Sequence, residues 1–80
     1  MNPFVEKAAS GQSYMTFSDR PSATGKTRIV SVCSRSSGDL LGEIRWFGRW
    51  RQYCFYPEPN TIFNRGCMAD IIAYVEGLGR

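Results

Sequence analysis

Six of the eleven aromatic residues and three of the eight arginines fall within twelve positions, Arg45-Trp46-Phe47-Gly48-Arg49-Trp50-Arg51-Gln52-Tyr53-Cys54-Phe55-Tyr56. The chemistry available to such a run is recognition. Aromatic faces fill protein pockets or stack on bases, and guanidinium forks engage carboxylates and phosphates. Phe47, Arg49 and Trp50, with Arg45 beside them, are the candidate residues for contact with a protein partner. A nucleic-acid reading draws on nearly the same set, with Arg45, Arg49 and Arg51 on phosphates and Trp50 or Phe47 on a base.

Reaction chemistry has little to work with. The chain contains no histidine, so the usual general base is absent, and its three cysteines (Cys33, Cys54, Cys67) are an odd number without C-x-x-C spacing. No metal site and no cofactor are expected, and the cysteines read as reduced, small apolar residues. Cys67, at a helix start, is the residue on which a third reading, a cysteine-dependent enzyme, would depend, but no partner base is evident. Gly25-Lys26-Thr27 ends like a phosphate-binding loop, yet Arg20 stands where the earlier glycine is needed. Asp39, Glu43, Glu58 and Asp70 show no paired-carboxylate spacing. The chain is therefore expected not to be an enzyme.

The elements that must hold the aromatic run follow from length and pattern. Eighty residues make at most one compact domain, and 42% apolar with 21% charged residues is the composition of a packed, soluble protein. The formal charge is +3, but residues 20 to 65 carry eight cations against three carboxylates, so the excess lies in the middle of the chain. No stretch is long and apolar enough to span a membrane, and Met1 to Ser10 lacks the layout of a signal peptide.

Asn2-Pro3 reads as a helix start and Ser10-Gly11 as its stop, giving a short N-terminal helix or extended arm. Tyr14 to Phe17 is a candidate short strand, and Ser18 to Gly25 reads as a loop. Three strands follow: Thr27 to Ser34, Leu40 to Trp46, and Arg51 to Tyr56, separated by turns at Ser36-Ser37-Gly38-Asp39 and Phe47 to Trp50. Asn64 is placed to cap a helix from Arg65 to Glu76, whose apolar positions recur at three and four. The expected fold is α+β: a three-stranded antiparallel meander packed by a C-terminal helix, with an arm or short helix plus loop over 1–26 and the β-β-β-α unit over 27–80.

If Phe47 to Trp50 form the loop, Trp46 faces Arg51, Ile44 faces Tyr53 and Gly42 faces Phe55, all under the helix. Arg51 could then stack on Trp46. Leu41, Glu43, Arg45, Gln52, Cys54 and Tyr56 take the other face. The outer edge of the strand from Thr27 to Ser34 would be unpaired, offering a homodimer contact. An α-β-β-β-α order also invites comparison with double-stranded RNA-binding domains, but Asn64 to Asp70 lacks the lysines they place at that helix start.

The run from Leu41 to Pro57, followed by Thr61-Ile62-Phe63 and Cys67-Met68-Ala69-Asp70-Ile71-Ile72, resembles a group of small uncharacterised proteins of bacteriophages and prophages. Its mark is Gly-x-Ile-x-Trp, then Trp-Arg-x-Tyr-x-Phe-x-Pro, Thr-x-Phe and a Cys-led helix. The likeness covers roughly the C-terminal half and leaves out the first 26 residues. It implies phage origin and a shared fold, with no activity attached. The resulting expectation is a non-enzymatic accessory protein in the bacterial cytoplasm that binds a host or phage protein complex, such as a defence system.

Overall fold

The structure, a computed structural model, describes residues 14–79. The expected helix after Asn2-Pro3 lies outside the described residues. Four strands and one helix follow in order: β1 (Met15–Pro21), β2 (Arg28–Ser34), β3 (Leu40–Phe47), β4 (Gln52–Pro57) and α1 (Arg65–Leu78). The strands form a single antiparallel sheet in sequence order. The expectation of an α+β fold with a C-terminal helix is met, but the sheet has four strands rather than three.

The added strand is the short one expected over Tyr14 to Phe17, which starts at Met15 and continues to Pro21 through residues of poor strand propensity that were expected to be loop. Ser18, Asp19 and Arg20 are strand because β2 offers them partners: Asp19 pairs with Arg28, while Arg20 donates to Ser31 Oγ at 2.7 Å and reaches Glu43 at 3.2 Å. Cross-strand pairing outweighs local preference here. Pro21 is tolerated because it ends an edge strand. With β1 in place, β2 is paired on both sides, so the edge expected between Thr27 and Ser34 is covered; the sheet's edges are β1 and β4.

Val30, Val32, Ile44 and Met15 are fully enclosed on one face, joined by Tyr53 and by Cys67 and Ile71 from α1. Asn64 caps that helix as its sequence position suggests, accepting the Cys67 N–H at 2.9 Å. The helix runs two residues past the expected end, through Gly77, and stops at Gly79, where φ is +82°. Two ring contacts fix it across the sheet. Tyr74 stacks on Phe17 of β1 at 4.6 Å, and Phe63, just before the helix, meets Phe55 of β4 edge-on at 5.1 Å.

The β3–β4 register differs from expectation by two residues: Trp46 faces Tyr53, Ile44 faces Phe55 and Gly42 faces Pro57. A slip of two leaves every side chain on its face, so Trp46, Tyr53 and Phe55 still pack beneath the helix. Tyr53 rather than Arg51 meets Trp46, edge-on at 5.3 Å. Leu41 is the exception to the face assignment. Val32 pairs with Gly42 but Cys33 with Leu40, which leaves Leu41 without a counterpart in a bulge and turned toward the core.

Gly42 makes the register possible. A β-carbon there would stand 2.7 Å from both the Phe55 ring and the Tyr56 carbonyl oxygen. Gly42→Ala is accordingly expected to cost ~1–3 kcal/mol through overpacking against backbone that cannot yield. Urea unfolding would show this as a lower midpoint with an unchanged m value.

Candidate functional site

Because the register is set by Gly42 and Phe55, the β3–β4 loop is Gly48 to Arg51 rather than Phe47 to Trp50. The Phe47 carbonyl closes it, accepting from Trp50 N–H at 3.1 Å and Arg51 N–H at 2.9 Å. A reversal this tight needs a left-handed residue at its end, and Arg51 takes that role with φ of +55°. Arg51 is thus a turn residue, exposed and remote from Trp46.

Phe47 ends β3 half-buried, and Trp50 stands against it with ring centroids 4.9 Å apart and planes at 80°. Trp50 nevertheless remains 63% exposed. Phe47, Trp50, Cys54, Phe55 and Tyr56 line a shallow groove of about 200 Å³ that runs from the tip onto the end of β4. The structure therefore brings Phe47 and Trp50 together and leaves Arg49 exposed beside them. Cys54 and Tyr56 complete the groove, and their part was missed in the sequence. Their alternation with Tyr53 and Phe55 gives the face; only the register gives the proximity.

Arg45 lies on the open face of the sheet, its guanidinium 5.9 Å from the Tyr56 ring centroid. It also approaches Glu43 at 3.5 Å, and Glu43 is shared with Arg20. The single carboxylate offsets one of the two guanidinium charges, while Arg49 and Arg51 add positive charge at the exposed turn.

The other candidates fall elsewhere. Gly25-Lys26-Thr27 belongs to the hairpin loop between β1 and β2, with Gly25 at φ of +76°, and no helix follows it. Cys67 is almost fully enclosed, at the floor of a cavity of about 680 Å³ lined also by Tyr14, Asp39, Glu58 and Asn60. Burial pushes its thiol up, partly offset by the backbone N–H of Asn64, and Asp70 adds to the rise. That is the direction away from thiolate. Among the described residues, no group of three or more metal-ligating side chains gathers, and no helix is long and apolar enough to cross a membrane.

A second apolar groove had no counterpart in the sequence reading. Phe55, Pro57, Phe63, Met68, Ile71 and Ile72 enclose about 290 Å³ between α1 and β4. Met68 and Ile72, one helical turn apart, are 49% and 56% exposed. The signal was available, since the helix's apolar stripe is wider than the Cys67–Ile71 line alone.

Over 53 residues the chain is 30% identical to a protein of Acholeplasma phage L2 described as an uncharacterised 9.3 kDa protein, covering 66% of this chain and 68% of that one. No family model and no solved structure matches the chain.

Two outcomes test this geometry. Arg51→Gly is expected to raise stability by about 0.5–1 kcal/mol by removing a side chain from a left-handed position, seen as a higher urea midpoint. Under mild alkylation at pH 8, with sites mapped by mass spectrometry, Cys67 is expected to react last of the three cysteines.

Proposed function

The chain belongs to the family of the uncharacterised 9.3 kDa protein of Acholeplasma phage L2, and from that premise we propose that it is a non-enzymatic phage accessory protein. It acts by binding a macromolecular partner, a protein complex of the host such as a defence system, in the cytoplasm. The observation that carries this reading is the tip of the β3–β4 hairpin. A tryptophan 63% exposed, seated edge-on against Phe47 and flanked by exposed Arg49 and Arg51, is costly to leave in water and has the composition of a binding hot spot. Phe47, Arg49 and Trp50 are the proposed contacts, with Arg45 at the rim.

The family mark we propose is Gly42, Ile44 and Trp46, then Trp50, Arg51, Tyr53, Phe55 and Pro57, then Thr61, Phe63 and Cys67. Gly42, Ile44, Trp46, Tyr53, Phe55 and Pro57 have packing or pairing roles in the β3–β4 hairpin, and Phe63 and Cys67 pack against the same core. Those positions account for a shared fold, while Trp50 and Arg51 carry the mark into the exposed tip.

Nucleic acid is the second reading, favoured by Arg45 over the Tyr56 ring and by the charged turn. The pairing of Arg45 and Arg20 with Glu43 argues against it, because phosphate binding would have to displace that carboxylate. The two readings also differ in salt dependence: phosphate contacts weaken steeply as salt rises, an apolar interface does not.

The test is affinity capture from host lysate with and without nuclease, comparing wild type with Trp50→Ala. The expected result is a nuclease-resistant partner whose affinity the variant lowers by ~2 kcal/mol or more, roughly thirtyfold, with an unchanged circular dichroism spectrum. A folded variant that retains every partner would refute the tip as the site.

A further inference from the structure

Strand β4 is an edge, and the direction of its free backbone groups can be read from its ladder. Glu58 N–H donates to the Leu41 carbonyl at 2.9 Å, so alternate residues back from it (Tyr56, Cys54, Gln52) turn their backbone toward β3. Tyr53, Phe55 and Pro57 turn theirs outward. Among the described residues no strand pairs with them. The edge thus offers two N–H donors, on Tyr53 and Phe55, and three carbonyls.

Such an edge is usually blunted by lysines, bulges or prolines. Here the protection is confined to Pro57 at one end. Apolar side chains flank the strand on both faces: Phe55, Met68 and Ile72 on the helix side, and Cys54 and Tyr56 on the open side. The edge is also self-complementary in charge, since Arg49 and Arg51 precede the strand and Glu58 follows it. An antiparallel copy sets the Glu58 end of one chain beside the arginine turn of the other.

We propose that the β4 edge pairs with the same edge of a second copy, forming a two-fold dimer with one continuous eight-stranded sheet. The register follows from the donors. With Tyr53 opposite Phe55 of the second copy, both N–H groups of each chain meet carbonyls, and Pro57 falls outside the ladder. Placing Phe55 on the axis would instead face the Tyr53 carbonyl with Pro57, which has no N–H to give. The favoured register puts Cys54 on the two-fold axis in a non-hydrogen-bonded pair, where α-carbons are about 4.5 Å apart. That separation is within disulfide range. The two contacts of Glu58 with the arginine turn are equivalent by symmetry.

The experiment is sedimentation of the full chain over a concentration series, followed by diamide oxidation with peptide mapping. The expected results are a concentration-dependent dimer and a Cys54–Cys54 cross-link that is lost in Cys54→Ser. Arg51→Glu and Glu58→Arg each place like charges together twice and weaken the dimer by about tenfold or more; the double variant recovers it. Both residues are exposed, and circular dichroism checks that each variant is folded. A wild-type monomer throughout the series would overturn the proposal. So would a dimer cross-linked elsewhere than Cys54, or one whose double variant is no stronger than either single variant.

Discussion

The ring of Phe55 lies across β3 where Gly42 leaves space for it, and the Tyr56 carbonyl approaches the same point. That contact admits no β-carbon, so it sets the β3–β4 pairing within one residue. The four-residue loop of the hairpin is then Gly48 to Arg51 instead of Phe47 to Trp50. Arg51 must take a left-handed backbone to finish the turn, and Trp50 is carried beyond the reach of the core. The exposure of the tip is therefore a consequence of packing at Gly42 and Phe55, on the strands either side of the turn.

The same register divides the sheet's two faces. α1 is the single helix among the described residues, and it covers one face only, anchored at the β1 side by Tyr74 on Phe17 and at the β4 side by Phe63 on Phe55. The opposite face keeps charge and hydroxyl groups in a small network around Glu43. Burial also marks the helix side in its titrating groups: it raises the Tyr74 hydroxyl, with Asp19 adding to the rise and Arg28 opposing it. What is left over, at the tip and along β4, is apolar surface that neither face absorbs.

Side-chain alternation made the face of Trp46, Tyr53 and Phe55 legible even with the wrong register, because a two-residue slip preserves a two-residue period. It failed at Leu41, where a bulge interrupts that period, and a bulge has no local sequence requirement that Leu40-Leu41 displays. Asn64 was legible as a cap because capping is settled within four residues. Met15 to Phe17 was legible as a short strand, but the continuation of β1 to Pro21 was not, since Asp19 and Arg20 gain their stabilisation from Arg28, Ser31 and Glu43, up to 23 positions along the chain.

For this protein, then, the amino-acid order by itself determined the antiparallel β3–β4 hairpin, the capped C-terminal helix and the concentration of aromatic and arginine side chains around the β3–β4 turn. Those depend on period, propensity and composition, which are local properties. The tertiary structure decided that β1 completes the sheet, that Arg45 is tied to Glu43 while Arg49 and Arg51 are not, that Trp50 stands in solvent at one end of a shallow groove, and that a second apolar groove opens between α1 and β4. Each of these rests on contacts between distant segments, whose geometry is settled only when the core closes.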